Sequence, residues 1–301
     1  MIRIFVFQNK CLLLKVLFVV LIATQMSCKE HTYPSPPGYN MEKPVRMALG
    51  KSLMEISGIT FYKDINNTLL AISDSKEKIF QINVSSKKIK DKAEKFAGPH
   101  DFEDIVRIDT TIFVLVSNGT IMAVPLDLYH DVTDSSRTVV YPFWSTGKND
   151  FETLYYDPTV DGLIMLCKSC EDEKGQKVRT AYRFDLTKRA FDSSAFYTIS
   201  TDSVRLSMKD DAIDFKPSAA AIHPITKELY ILSSASQLLV IADTRGHVKG
   251  TYHLKPKYNP QAEGIAFSPD GTMFISNEGK FKQPTLQIFP YKIKTDQKKT
   301  K

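Results

Sequence analysis

The sequence predicts an all-β fold, a β-propeller of five four-stranded blades with six as the alternative count, on three observations. One short signature recurs five times, the copies fall at the spacing of a propeller blade, and each is followed by a turn and short β-rich runs rather than by a long helix.

In chain order the signature reads Glu55-Ile-Ser-Gly-Ile-Thr-Phe, Phe102-Glu103-Asp104-Ile-Val, Phe151-Glu152-Thr-Leu-Tyr-Tyr, Pro217-Ser218-Ala-Ala-Ala-Ile and Ala262-Glu263-Gly-Ile-Ala-Phe. With Glu55, Glu103, Glu152, Ser218 and Glu263 as markers, the intervals are 48, 49, 66 and 45 residues. The third is too short to hold a whole extra blade and reads as an insertion. Turn residues follow each signature at 64–67, 157–162, 224–227 and 269–271. The next runs, 68–72, 111–116, 163–166, 229–232 and 272–275, have the length and β-branched content of strands. Third strands are expected at 79–84, 120–125, 181–186, 237–242 and 285–290. The stretch 39–48, ahead of the first signature, is placed to give the last blade an outer strand and close the ring.

The N-terminus reads as an address. Arg3, Lys10 and Lys15 precede an apolar run over 16–23, and small or polar residues lead to Ser27-Cys28, the layout of an export signal. The run is shorter than the ~20 residues that cross a bilayer. Ser27-Cys28 resembles a bacterial lipobox, in which the cysteine becomes the lipidated first residue, with Gln25 where leucine is usual. The expected organisation is a lipoprotein-type signal peptide over 1–27, Cys28 as mature N-terminus, an extended proline-containing tether over 28–38, a single propeller domain over 39–291 and a basic flexible tail over 292–301. The expected location is the outer membrane of a bacterium, periplasmic or surface-facing, with the membrane as partner through the lipid on Cys28.

Composition is that of an ordinary globular protein, 43% hydrophobic and 25% charged. Removing the leader lowers the formal charge from +6 to about +3, too little to argue for nucleic acid. Cys167 and Cys170 remain as a lone Cys-Lys-Ser-Cys pair. Zinc needs about four ligands and no second pair exists, so a local disulfide is expected after export. Nucleophile-elbow, Walker, dinucleotide-binding and His-Glu-x-x-His patterns are all missing. His100 and His223 sit in turn-like contexts, and Trp144 with Tyr141, Phe143 and Phe151 reads as packing between blades.

The strings Glu55-Ile-Ser-Gly-Ile, Asp101-Phe-Glu-Asp-Ile, Asp150-Phe-Glu-Thr-Leu, Lys216-Pro-Ser-Ala-Ala-Ala-Ile-His-Pro, Glu228-Leu-Tyr-Ile-Leu-Ser-Ser and Gln261-Ala-Glu-Gly-Ile-Ala-Phe-Ser-Pro-Asp-Gly resemble the SdiA-regulated (YjiK-like) β-propeller family of bacterial envelopes. The resemblance covers roughly 55–291 and departs from the family at Cys170 and Ala262. It implies an envelope-associated propeller, linked in some members to calcium-responsive physiology, and hands over no catalytic residues.

Chemistry then rests on placement. At the starts of inner strands, Glu55, Glu103, Glu152 and Glu263 should converge on the central channel, with Asp104 as a further acid and Ser218 standing in for the fourth blade. Lys168, Asn118, Asn277 and Glu278, at the ends of second strands, are expected to line the same mouth as ligand-binding residues. Gathered carboxylates repel unless a cation, a proton or a basic group intervenes, and calcium takes six to eight oxygens. Two uses stay open: a calcium site on the axis, or carboxylates that accept backbone N–H bonds from the next blade, with Lys168 neutralising one. The function expected is a non-catalytic module binding calcium, a small ligand or an envelope protein at the propeller face. The alternative is a calcium-dependent hydrolase, phosphoesterase or lactonase in type, at the channel mouth.

Overall fold

Residues 69–72, 112–116, 163–167, 229–232 and 273–275 are buried at every position rather than alternately, the pattern of strands covered on both faces. In the computed structural model, which describes residues 33–63, 67–91, 101–127, 132–133, 135–145, 147–280 and 282–292, these runs are the second strands of five antiparallel sheets. The predicted leader with Cys28, His100 and the tail beyond Lys292 lie outside the described residues.

Strand β1 (Val45–Ala48) comes first in the chain. Blade one follows as β2 (Ile56–Lys63), β3 (Thr68–Ser73), β4 (Lys76–Asn83) and β5 (Lys88–Asp91). Blade two is β6 (Phe102–Ile108), β7 (Thr111–Val116) and β8 (Ile121–Asp127), edged by β9 (Val132–Thr133) and β10 (Val139–Tyr141). Blade three is β11 (Phe151–Asp157), β12 (Gly162–Cys167) and β13 (Val178–Asp185), edged by β14 (Ala190–Phe191) and β15 (Tyr197–Ser200). Blade four is β16 (Ala219–Ile222), β17 (Leu229–Ser233), β18 (Leu238–Ala242) and β19 (Val248–His253). Blade five is β20 (Ala262–Phe267), β21 (Met273–Asn277) and β22 (Thr285–Phe289), and its fourth strand is β1, paired antiparallel with Val45 opposite Ile288. Inner strands β2, β6, β11, β16 and β20 neighbour one another in turn, and β20 returns to β2. The ring therefore closes with five blades by pairing both ends of the propeller within one sheet, as the position of 39–48 predicts.

Among the described residues, each hairpin between first and second strands carries a residue with positive φ: Asn67 (47°), Asp109 (49°), Asp161 (43°), Lys227 (61°) and Gly271 (85°). Five apolar clusters fill the five blade interfaces. One joins blades one and two through Phe102 and Ile112, and another joins blades five and one through Phe274 and Phe80. The long third interval holds β15 and the short helix α1 (Thr201–Met208), capped by the Ser200 hydroxyl, which accepts from Ser203 N at 3.2 Å. Ile199 and Val204 from this insertion complete the core between blades three and four. Phe143 packs edge-on against Phe151, Tyr182 and Phe191 beside Trp144, so the aromatic stretch is inter-blade packing. His223 is fully buried in its turn, its Nδ1 accepting from Ile225 N and Thr226 N, and burial pushes its pKa down to about 4.

Candidate functional site

Four of the five inner strands open with a register break of one extra residue. The ladder skips between Phe102 and Asp104, Phe151 and Thr153, Ala262 and Gly264, and Ile56 and Ile59. Such bulges release a side chain from the ladder and re-aim it. The released residues include Glu103, Glu152, Glu263 and Ser57, and together with Ser218 of blade four they line one cavity of about 310 Å³ at the channel mouth.

A second repeated device frames this mouth. The first residue past the second strand donates its N–H to a carbonyl two positions before the bulge marker: Asp74 to Glu55 (3.1 Å), Ser117 to Asp101 (3.0 Å), Lys168 to Asp150 (2.9 Å) and Glu278 to Gln261 (3.1 Å). The bond settles the register between blades. Glu55 is equivalent to Asp101, Asp150 and Gln261, and it is Ser57 that matches the glutamates. This corrects the expectation for Glu55, an exposed residue that takes a hydrogen bond from the Ser75 hydroxyl and does not line the cavity.

Asp104 also differs from expectation. It is buried in the ring wall, where its carboxylate accepts from Ile105 N (2.8 Å) and, across the blade interface, from Leu154 N (2.8 Å). Burial raises its pKa well above the usual carboxylate value despite both bonds. Gly58 of blade one makes room for it, since a Cβ there would lie 2.2 Å from Asp104 Oδ1. The blade-holding role considered for the glutamates thus falls to Asp104 and to serines: Ser218 Oγ donates to Ala262 O (2.9 Å) and Ser276 Oγ to Ser57 O (3.1 Å).

Of the four residues expected at second-strand ends, two reach the mouth. Lys168 donates from Nζ to Glu152 Oε1 and lies 4.0 Å from an Asp150 carboxylate oxygen. Glu278 accepts from Gln261 Nε2. Asn118 is an exposed turn residue whose Oδ1 accepts from Thr120 N (3.0 Å), and Asn277 is fully buried inside blade five, facing Asn259. Alternation along a strand explains the last pair, because Asn277 and Glu278 are adjacent and point to opposite sides. Sequence reasoning missed Asp101 and Asp150, two positions before their glutamates, and Asp74 and Lys280, all of which line the cavity. The signal was the recurring acid-Phe-Glu of 101–103 and 150–152.

Among the described residues, seven carboxylates and two lysines line this mouth. Burial, then the charges of Glu152 and Asp101, push Glu103 up to about 9. Burial, with Glu152 and Glu278, pushes Glu263 up to about 8, held back by hydrogen bonds from Ser234 and Gln261. Glu152, Asp74 and Glu278 are raised for the same first reason, desolvation. Burial works against the charge on Lys168, but the Glu152 bond and the surrounding acids outweigh it and raise its pKa. Besides these acids and lysines, the lining holds the hydroxyls of Ser57 and Ser218 and the amide of Gln261. No three of the described carboxylate, histidine or cysteine groups converge to ion-holding distance. Cys167 and Cys170, flanking Lys168, are joined by a disulfide.

A family model described as SdiA-regulated matches residues 37–281. No curated protein matches the sequence. Glutaminyl cyclase of Myxococcus xanthus is similar in structure, with a TM-score of 0.52 at 11% identity over 86% of this chain and 100% of that one. A calcium-binding protein, regucalcin, from Agrobacterium tumefaciens strain C58 aligns with a TM-score of 0.49 at 11% identity, covering 85% of this chain and 95% of its own. At such identities the likeness is one of propeller fold alone. Signature order, blade count and the match over 37–281 agree: the chain belongs to the SdiA-regulated family.

Proposed function

We propose that the protein is an exported envelope lipoprotein whose propeller is a non-catalytic binding module, taking a hydrated divalent cation, calcium first, at the acidic channel mouth. The observation that carries this is crowded acidity: seven carboxyl groups share one cavity with two lysines, and burial, which raises Glu103 to about 9 and Glu263 to about 8, favours protons on both at neutral pH. An entering cation takes the place of those protons. Because the carboxylates stand apart, ordered water completes the ion's shell and affinity falls in the range of ~0.1–1 mM typical of extracellular modules. Calorimetric titration is expected to show one calcium per chain, proton release on binding, tighter binding from pH 6 to pH 9, and loss of both in Glu103→Gln/Glu263→Gln. Absence of a stoichiometric ion after calcium dialysis would sink the cation reading. The lipoprotein part is supported by the Ser27-Cys28 layout, and a mature N-terminus other than diacylated Cys28 in mass spectra would overturn it.

One feature also favours a calcium-dependent hydrolase of phosphoesterase or lactonase type: burial raises the Glu263 carboxyl to about 8, the direction a general acid requires. Turnover of p-nitrophenyl phosphate or of lactones, abolished in Glu263→Gln, would replace the binding module by this second reading.

A further inference from the structure

Blade three differs from blades one, two and five at one step. Where the repeated backbone bond places Asp74, Ser117 and Glu278 past the second strands of blades one, two and five, blade three places Lys168, and only there does a disulfide follow. Lys168 lies inside the Cys167–Cys170 bridge. Cys167 is fully buried and Cys170 nearly so, which fixes both ends of the tetrapeptide in the core between blades two and three. Lys168 N and Ser169 N both donate to Asp150 O, at 2.9 and 3.2 Å, and Glu171 N donates to Lys148 O at 3.0 Å. From this tight loop the lysine side chain runs inward to Glu152, with Asp150 beside it. Its side chain is 29% exposed and that of Glu152 15%.

Resting on the cation reading above, we infer that Lys168 is a tethered counter-cation, clamped in the mouth by the Cys167–Cys170 disulfide, that competes with external cations for Glu152 and Asp150 and sets the affinity of the site. A free ion must displace an ammonium that the chain itself delivers at high local concentration. The disulfide limits the other positions the loop can take.

Calorimetric titration with calcium chloride at pH 8 on wild type, Lys168→Met, Lys168→Arg and Cys167→Ala/Cys170→Ala tests this. Lys168→Met is expected to bind about tenfold tighter or more, since one opposing charge is gone from a partly desolvated site. Lys168→Arg, which keeps the charge, binds as wild type does. The cysteine-free variant falls between, because its lysine leaves the mouth part of the time. Equal calcium affinity in wild type and Lys168→Met overturns the competition and leaves the cation site standing. No binding by either variant overturns both. Tight binding by Lys168→Met with wild-type affinity in the cysteine-free protein overturns the clamp. The two lysine variants keep the disulfide, so the competition is decided even where the cysteine-free protein fails to fold.

Discussion

The two ends of the central channel are built by the same five inner strands and share almost no chemistry. The starts of those strands surround the acidic cavity of about 310 Å³, whereas residues such as Phe61, Val106, Tyr156, Ile222 and Phe267 near their ends surround an opposite cavity of about 190 Å³. Arg107, the one cation among the described residues there, is engaged, donating to Tyr62 O at 3.0 Å and lying over the Tyr62 ring. The difference follows from the ladder. In blades two, three and five the register breaks once, at the glutamate, and then runs regularly to the far end. A bulge lets a side chain leave the pleat toward the channel; an unbroken ladder returns alternate side chains to the blade interfaces. One mouth is therefore arranged for charge and the other for packing.

Substitutions on one strand break that contrast most directly. Phe267→Ala at the apolar end of β20 is expected to cost about 3 kcal/mol in denaturant unfolding and leave calcium binding unchanged. Glu263→Gln, four residues earlier as the strand starts, is expected to do the reverse, removing the cation response with no loss of stability at pH 8. Equal destabilisation by the two would erase the division between mouths.

Asp104 tests whether the wall is separable from the cavity. Asp104→Ala leaves the Leu154 and Ile105 amides without their acceptor, an expected loss of about 2 kcal/mol with calcium affinity within twofold of wild type. A collapse of calcium binding in that variant at retained fold would place Asp104 in the site after all.

The smallest effect is also the most specific. Glu103 and Glu263 start near 4.5 in the unfolded chain and rise to about 9 and about 8 on folding. Above pH 4.5 the unfolded chain gives up these protons and the folded chain keeps them, so stability is full below that value and falls as pH rises, levelling beyond about 9. The loss runs through pH 6 to pH 9, until the folded chain gives up the two protons that the unfolded chain has already released. Thermal melts across that window should flatten in Glu103→Gln/Glu263→Gln and in wild type with saturating calcium. An unchanged slope in the double variant would show that the two glutamates do not carry the acid mouth's charge.

Much of this architecture is legible in the chain itself, and the errors are instructive. Turns such as 157–162 and 269–271, and runs such as 163–166, announce themselves locally, so blade number and ring closure by 39–48 follow from composition and spacing. The site is less legible. Aligning copies on their glutamates makes Glu55 a marker, yet the backbone bond from Asp74 N shows it two positions early. A bulge adds a residue without changing the type of residue around it, so no composition marks which side chain it releases. Asn277 and Glu278 were expected together for the same reason: neighbours in sequence, they are parted by the pleat.

By itself the sequence determined what is decided over a few residues: where strands run, where hairpins turn, that five blades form, and that Cys167 and Cys170 stand within reach of each other. Only the tertiary structure decided which acids meet, that Ser57 and not Glu55 faces the channel, that Asp104 stitches two blades, and that Lys168 lies on Glu152. Strand formation is a local preference, while convergence at a channel mouth depends on closing a ring of five units, and the burial that raises Glu103 and Glu263 exists only once it is closed.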